Sequence, residues 1–339
     1  MEIKGQTKPA MMRAIRIYAY GGPDVMQWEE LPLPVPGPGQ SLVHVQAASV
    51  NFLDVQKRRG ELMGQAFYQR YASEPDLPAT LGSQGVGVVQ ALGPEVSNVQ
   101  VGDRVSFWGS SYATHAVVPA ARLVRVPDGV SLEQAAGGLN QGFLAYAFTH
   151  FAYPVKPGDW CLVQAAAGGM GLLLCQTAKI RGGRVIGVTS TGQKANFVRE
   201  AGADEVIISK ESDIAKEARR ITGGRGVQVV YDGVGKDTFE ANLDSLAPAG
   251  YLVIYGQSSG YVSPFDLMTL QEKGSLFVTR TNGLPYVKEF PHYVQQFAAW
   301  IQEGKLSIRI DRTYPLSDAA QAHAAFEQRQ ISGRVLLLP

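Results

Sequence analysis

The chain has 339 residues, of which 45% are hydrophobic and 18% charged, a composition able to bury the cores of two domains. Its 31 Lys and Arg residues against 30 Asp and Glu residues provide no basic face for nucleic acid or an anionic membrane. No apolar run reaches the roughly 18 residues of a membrane-spanning helix, and the first 12 residues lack the apolar core of a secretory signal.

The N-terminal part of the chain predicts a β-rich, barrel-like unit. From Met12 to about Pro127, short alternating or apolar runs such as RAIRIYAY and SLVHVQAASV are separated by turns such as GGPD and PVPGPGQ. Several brief strands with frequent turns are typical of such a unit rather than of a parallel sheet. A helix is predicted to follow up to about His150, with Ser131 as its N-cap.

From Asp159 the pattern changes to strands alternating with helices, which predicts a parallel, doubly wound sheet. The strands are WCLVQAA, RVIGVTS, EVIIS, VQVVYDGV and GYLVIYG, with helical segments between them. After about Arg280 we expect a helix (Tyr293–Glu303), a strand, a second helix (Ser317–Arg329) and a terminal strand. This tail is too small to be a domain, so the sequence predicts an α/β fold with one unit at 1–142 and 281–339 and a Rossmann unit at 143–280.

A turn of small residues marks a dinucleotide site. The segment VQAAAGGMG, Val163–Gly171, follows a strand and opens a helix, with Ala166, Gly168 and Gly171 at the three spaced small positions. Small residues allow the backbone to turn tightly and approach a pyrophosphate, and the helix N-terminus supplies N–H donors and a favourable dipole. The other interpretation, a tight turn without a ligand, does not explain this strand–helix–strand context.

The cofactor is predicted to be NADPH rather than NADH. NAD sites usually place an acidic residue about 20 residues after the turn, at the end of the second strand. Here that point is GVTSTGQK, Gly187–Lys194, which contains no carboxylate. Ser190 and Lys194 offer a hydroxyl and a cation there, which suit charge-assisted bonds to a 2′-phosphate.

Eight segments in order resemble the quinone oxidoreductases, the zeta-crystallin branch of the medium-chain dehydrogenase/reductase superfamily. They are NFLDVQKRRG, VGDRV, QGFLAY, AAAGGMG, TGQK, ITGGRGVQVVYDGVG, GQSSG and KGSLFVTR, and the resemblance covers the chain from about Met12 onward. It implies a GroES-like catalytic domain built from both chain ends, a central Rossmann domain, and homodimers or homotetramers joined through the cofactor domain.

The resemblance also implies roles for individual residues. Asn51 and Asp54 match the catalytic pair near the nicotinamide, and Asn51 is expected to touch the cofactor as well. The other positions expected to contact the cofactor are Gln141, Gly168, Gly169, Met170, Gly171, Ser190, Lys194, Ser209, Val234, Gly256, Ser258, Val278, Arg280 and Arg334.

Four features depart from the family pattern. Gln56 and Ser209 stand where family members often have Tyr, and Ser209 thereby alters one wall of the 2′-phosphate pocket. Gln84 replaces the usual Glu of a G-x-E segment, which alters polarity near the substrate or preserves a structural hydrogen bond. The stretch Glu61–Pro78 is longer than usual and is expected to form a lid over the substrate.

No metal is expected. Cys161 and Cys175 lie in apolar segments, where they are predicted to be core thiols in a cytoplasmic protein without disulfides. The five histidines show no ligand spacing, and a catalytic zinc needs three protein ligands within reach. The cofactor must then supply the reducing chemistry, and quinones and enones suit it because their π system spreads the developing charge over oxygen. Polar groups such as Asn51 would stabilise that charge.

Three functions remain open. The first is an NADPH-dependent quinone reductase, with aromatic residues such as Tyr68, Tyr71, Trp108 and Tyr112 either lining a flat substrate slot or serving ordinary packing. The second is a reductase of activated C=C bonds in enals, enones or haloacrylates on the same fold. The third is an NADPH-binding, crystallin-like protein without turnover, for which the balanced charge disfavours an RNA ligand.

Overall fold

The computed structural model describes residues 10–61 and 77–339, which form two compact units. One comprises the residues up to Gly137 together with Ile310–Ile331 and Val335–Pro339, and the other comprises Gly138–Arg309 and Ser332–Arg334. The expectations for Tyr68 and Tyr71 and for most of the Glu61–Pro78 lid lie outside the described residues.

The strands are β1 Met11–Ile17, β2 Gln27–Pro32, β3 Gln40–Ser49, β4 Ala79–Thr80, β5 Gln84–Leu92, β6 Arg104–Trp108, β7 His115–Pro119, β8 Val124–Arg125, β9 Trp160–Val163, β10 Arg184–Thr189, β11 Glu205–Ile208, β12 Val227–Asp232, β13 Leu246–Ile254, β14 Phe277–Arg280, β15 Ile310–Pro315 and β16 Arg334–Leu338. The α-helices are α1 Phe52–Arg59, α2 Leu132–Ala147, α3 Gly169–Ile180, α4 Gly192–Glu200, α5 Ile214–Ile221, α6 Phe239–Ser245, α7 Met268–Glu272, α8 Phe290–Gln302 and α9 Ala319–Glu327. Within the described part of the chain, no helix is long and apolar enough to cross a membrane.

The first unit is built on two sheets. Its larger sheet runs β15-β16-β3-β5-β6-β8, with β7 paired to β3, and its smaller sheet runs β2-β1-β4. Alternate side chains of β3 and β5 point into one core, where Val43, Val45 and Val89 pack with Phe107. The predicted β-rich unit is therefore present, and its paired strands β3, β5 and β6 are antiparallel.

The second unit contains a six-stranded parallel sheet in the order β11-β10-β9-β12-β13-β14. Its strands are nearly all apolar because both faces are covered by helices, and Leu162, Ile186, Val230 and Leu252 are buried in its core. The strand order reverses between β9 and β12, the point where open α/β sheets bind ligands at the carboxyl ends of their strands. The predicted doubly wound fold is confirmed.

The division between the units differs from the predicted boundaries. Residues 138–142, 281–309 and 332–334 belong to the second unit instead of the first. The reason is a contact of α8 with α2, in which the Tyr293 hydroxyl donates to the Gly138 carbonyl at 3.3 Å. Gly142 leaves room for the same ring, since a Cβ there would collide with the Tyr293 hydroxyl. Phe143 also packs edge-on against Phe290, at 4.8 Å between ring centroids.

The start of α2 was predicted correctly. The backbone N–H of Gln134 donates to the Ser131 hydroxyl at 3.1 Å, and the Gln134 side chain accepts from the Ser131 N–H at 2.8 Å. This reciprocal pair caps the helix. In the second unit, Cys161 and Cys175 are buried core residues whose thiols form no disulfide, as predicted.

Candidate functional site

The turn that follows β9 carries the predicted pyrophosphate residues. Ala165 takes a left-handed conformation with φ of 48°, and the Gly168 N–H donates to its carbonyl at 2.9 Å. Gly171 is required because a Cβ at this position would lie 2.5 Å from the Ala165 carbonyl oxygen. The first three amides of α3, those of Gly169, Met170 and Gly171, have no acceptor within the helix, and a helix N-terminus of this kind favours an anion.

Arg334 is brought to the same turn, although it lies more than 160 residues away in the sequence. Gly333 forms a β-bridge with Gly168. The Arg334 side chain lies so close to Gly169 that a Cβ on that glycine would collide with it. The guanidinium therefore adds positive charge beside the N-terminal end of α3, where it and the helix dipole favour the same anionic ligand.

The predicted 2′-phosphate residues follow the carboxyl end of β10. Ser190 is half-buried just beyond the strand, and Lys194 lies in the first turn of α4, also half-buried. Ser209 is close by, because its backbone N–H donates to the Thr189 carbonyl at 2.8 Å. The structure thus gathers hydroxyl and ammonium groups at this strand end, and the segment Gly187–Lys194 contributes no carboxylate.

The loops after β12 and β13 are joined to each other. The Ser258 N–H donates to the Gly233 carbonyl at 3.1 Å, and the Ser259 N–H donates to the Val234 carbonyl at 2.9 Å. Gly256 is needed there because a Cβ would lie 2.6 Å from the Gly233 carbonyl oxygen. Val234, Gly256 and Ser258, predicted separately, therefore belong to one paired structure.

Asp232 holds the first of these loops, and sequence reasoning missed it. Its carboxylate accepts from the N–H groups of Val234 at 2.8 Å and Gly235 at 3.1 Å, and from the Thr238 hydroxyl at 3.0 Å. Burial raises the pKa of Asp232, and the bonds from these donors oppose that rise. The available signal was an Asp directly before a Gly-Val-Gly turn.

The remaining predicted cofactor residues are found on β14 and α2. Val278 pairs with Leu252 and is half-buried, and Arg280 pairs with Ile254 at the end of the sheet. Arg280 Nη1 donates to the Ile254 carbonyl at 3.3 Å, two residues before Gly256 in the sequence. Gln141 is half-buried on α2.

In the first unit, Asn51 and Asp54 cap the start of α1. The Asn51 backbone N–H donates to Asp54 Oδ2 at 2.9 Å, completing a capping box. Ser83, which sequence reasoning missed, donates its hydroxyl to the same Oδ2 at 3.1 Å. Burial raises the pKa of Asp54 to about 6, although Lys57 and the hydrogen bonds from Asn51 and Ser83 act to lower it. Asp54 Oδ1 is buried and accepts no hydrogen bond within the described residues.

The departures from the family pattern have different surroundings. Gln84 is 4% exposed, and its Oε1 has no hydrogen-bond partner among residues 10–61 and 77–339. That oxygen therefore makes no structural bond to the described residues. Gln56 is buried on α1.

Two of the aromatic residues predicted either to line a substrate slot or to serve packing lie in the described part of the chain. Trp108 is 41% exposed, and Tyr112 is fully buried with its hydroxyl 3.0 Å from His323 Nε2. Tyr112 serves packing and not a substrate slot.

Within the described segments, no three His, Cys, Asp or Glu side chains lie close enough together to hold a metal ion. This part of the chain therefore does not fit a resident zinc ion.

Two family models match the chain. A model described as zinc-binding dehydrogenase covers residues 169–300, and a model described as alcohol dehydrogenase GroES-like domain covers residues 37–128.

Relatives match over almost the whole length. A quinone oxidoreductase of Pseudomonas aeruginosa is 37% identical, over 97% of this chain and 100% of its own. A 2-haloacrylate reductase of a Burkholderia species is 37% identical, over 97% of this chain and 99% of its own. The structure of Escherichia coli quinone oxidoreductase complexed with NADPH is 35% identical, its match covers 97% of this chain and 100% of that one, and its TM-score is 0.89.

Proposed function

The chain belongs to the quinone oxidoreductase family, and from this membership we propose that it transfers a hydride from NADPH to a quinone or a related conjugated carbonyl compound. The observation that carries the proposal is the small-residue turn Ala165–Gly171 at the point of strand reversal in the parallel sheet. Turns of this kind hold the pyrophosphate of a dinucleotide. The E. coli relative with the same fold was solved with NADPH bound.

The second unit offers a donor for each anionic part of the cofactor. The amides of 169–171 and the Arg334 guanidinium suit the pyrophosphate. Ser190, Lys194 and Ser209 suit the 2′-phosphate, since each supplies a hydroxyl or ammonium donor at the ends of β10 and β11. We assign the ribose and nicotinamide to the paired loops after β12 and β13, which carry Val234, Gly256 and Ser258. Gln141, Val278 and Arg280 are assigned to the same part of the cofactor.

The bound cofactor supplies the hydride, and the chain supplies binding, orientation and exclusion of water. A quinone or enone spreads the resulting negative charge onto oxygen, so the reaction does not need a strong Lewis acid. We assign the acceptor to the first unit, with Asn51 and Asp54 as its catalytic residues. Asp54 supports this assignment, because its Oδ1 is buried without a hydrogen bond to the described residues and burial raises the pKa of its carboxyl to about 6.

A steady-state assay of NADPH oxidation tests the function. The purified protein is mixed with a panel of benzoquinones and naphthoquinones, with NADH in parallel. We expect turnover of quinones with NADPH and a markedly lower kcat/KM with NADH. No turnover of any quinone or enone, despite tight NADPH binding, would support the non-catalytic crystallin-like function and contradict our proposal.

A second candidate is the reduction of an activated C=C bond. It is favoured by the 2-haloacrylate reductase relative, which matches this chain as closely as the Pseudomonas quinone oxidoreductase does. The same assay distinguishes the two functions when enones, enals and 2-haloacrylates are added to the panel. A kcat/KM at least tenfold higher for the C=C substrates than for the best quinone would favour the second function.

We further propose that the protein is a homodimer joined through the edge of the parallel sheet. β14 ends that sheet, and exposed apolar side chains lie on and just before it, with Phe277 49%, Leu267 73% and Met268 51% exposed. Pairing with β14 of a second copy would give hydrogen-bond partners to the backbone N–H and C=O groups at the open edge of β14, and it would cover these side chains. Light scattering should find a dimer that Phe277→Asp converts to a monomer. The control Val35→Asp, at a residue 87% exposed in the first unit, should stay dimeric.

We infer a cytoplasmic location, which the two buried, unbonded cysteines support.

A further inference from the structure

Two histidines lie side by side on paired strands of the larger sheet in the first unit. His44 is exposed on β3, and His115 is half-buried at the start of β7. They stand directly opposite each other in the antiparallel register of these strands. Their rings are stacked, with 4.9 Å between the centroids and 20° between the planes. The proposed function gives no role to either residue.

The strand pairing explains why the two rings are close. Opposite residues of an antiparallel pair alternate between hydrogen-bonded and non-hydrogen-bonded positions, and side chains lie closer together at the latter. The Val45 N–H donates to the Thr114 carbonyl at 2.9 Å. The neighbouring pair of His44 and His115 is therefore a non-hydrogen-bonded one. The backbone thus holds two imidazoles on the same face of the sheet, although the sequence shows no ligand spacing.

Each ring has a hydrogen-bond partner at Nδ1. His44 Nδ1 is 3.2 Å from Gln46 Nε2, and His115 Nδ1 is 3.0 Å from Thr114 Oγ1. The Thr114 hydroxyl can accept from an Nδ1–H, and the Gln46 amide can do so when it presents its oxygen. Imidazoles that bind a metal usually donate their other ring N–H in this way, which fixes the ring. Both rings therefore keep Nε2 as the atom for a metal ion.

The charge and spacing of the rings also suit a metal ion. A ligating imidazole must be neutral. Burial, and secondarily the nearby His44, lower the pKa of His115, which favours the neutral ring at pH 7. Two nitrogens bound to one ion at about 2.0–2.1 Å each lie about 3 Å apart when they meet at a right angle. Small rotations of the two side chains bring Nε2 atoms of stacked rings to that separation.

We propose that His44 and His115 form a cross-strand site for a divalent transition-metal ion, bound through the two Nε2 atoms with water in the other positions. Imidazole suits Cu²⁺, Ni²⁺ and Zn²⁺, and the general order of affinities places Cu²⁺ first. Mg²⁺ and Ca²⁺ prefer oxygen ligands and should not bind. A catalytic zinc has three protein ligands, whereas this site offers two, so the ion is exchangeable.

The ion would join two strands of the sheet. β7 is held to the larger sheet by its pairing with β3, and one ligand comes from each of these strands. Unfolding separates the two ligands, so an ion that binds them together stabilises the folded state by mass action. This inference does not depend on hydride transfer, and its test needs no turnover.

The test is a calorimetric titration with CuCl₂ at pH 7 of protein without a histidine tag, treated first with a chelator and then dialysed. We expect His44→Gln and His115→Gln each to weaken Cu²⁺ binding by roughly tenfold or more, because each removes a direct ligand. The control His292→Gln removes an exposed histidine of the second unit and should bind Cu²⁺ as the wild type does. Circular dichroism confirms that all variants are folded.

Electron paramagnetic resonance of the complex at one Cu²⁺ per chain identifies the ligands. The spectrum should show two imidazole nitrogens in the wild type and one in each site variant, and Cu²⁺ should raise the melting temperature of the wild type more than that of the double variant. Equal Cu²⁺ affinity in His44→Gln and wild type, an equal loss of affinity in His292→Gln, or a single nitrogen ligand in the wild type would overturn the proposal.

Discussion

His323 should make the native state sensitive to acid. Its ring is fully buried between α1 and the core of the first unit, with Nδ1 3.0 Å from Arg58 Nη1 and Nε2 3.0 Å from the Tyr112 hydroxyl. A guanidinium only donates, so Nδ1 accepts and the single ring proton sits on Nε2, directed at Tyr112. Burial, and secondarily the charge of Arg58, lowers the pKa of His323 to about 3.

The sign and size of the effect follow from linkage. Because the folded pKa is below the unfolded one, the unfolded chain binds the extra proton as the pH falls below about 6.5, and stability is lost from there down to about pH 3. At pH 5 the loss from this one residue is about 2 kcal/mol relative to pH 8. His323→Gln should remove it, since a Gln carbonyl can accept from Arg58 and its amide can donate to Tyr112.

Urea unfolding at pH 8 and pH 5, followed by circular dichroism, measures the effect. The fall in unfolding free energy between these pH values should be about 2 kcal/mol smaller in His323→Gln than in the wild type. His292→Gln replaces an exposed histidine of the second unit and serves as the control. An equal fall in His323→Gln and wild type would refute the account of a neutral, buried ring.

Two further substitutions each test one interaction, a buried ion pair in the first unit and a close backbone contact in the second. Glu327→Ala should destabilise the protein by about 3 kcal/mol, because it leaves the fully buried Arg58 without the carboxylate 2.7 Å away; Glu303→Ala, which breaks an exposed ion pair, should cost less than about 1 kcal/mol in the same denaturation assay. Gly187→Ala should cost about 1–3 kcal/mol, because its Cβ would collide with a valine of α4. Gly192→Ala, whose Cβ would meet only a methyl group at 3.7 Å, should change the melting temperature little, and equal losses for both glycines would contradict the packing argument.

The order of strands and helices could be predicted because each has a local pattern. Alternating runs and turn residues mark the strands of the first unit, and buried strands followed by amphipathic helices mark the second. The helix predicted at Tyr293–Glu303 is observed at Phe290–Gln302. The small positions Ala166, Gly168 and Gly171 were identified by their spacing between a strand and a helix, and the tight turn does exclude a Cβ at Gly171.

The unit boundaries could not be predicted, since they depend on contacts between distant segments. Helix α8 belongs to the second unit through the bond from Tyr293 to Gly138, 155 residues apart. Neither residue carries a local signal of that contact. The same holds for Arg58 and His323, which are 265 residues apart.

The hydrogen-bonded support of the candidate sites was also missed. Asn51 and Asp54 were identified by resemblance to a family motif, but Ser83 was not, because only the fold brings it within 3.1 Å of both side chains. Asp232 was missed for a different reason: its carboxylate binds backbone N–H groups of the following turn, a role that any Asp before a turn can take.

The most direct test of the central claim is a fluorescence titration of the protein with NADPH and with NADH. The account predicts that the wild type binds NADPH more tightly. Lys194→Ala should weaken NADPH binding by roughly 10- to 100-fold, the value of a charge-assisted hydrogen bond, and leave NADH binding nearly unchanged. Lys305→Ala, at an exposed lysine that follows α8, should alter neither. Equal affinity of the wild type for the two cofactors, or an unchanged preference in Lys194→Ala, would contradict the account.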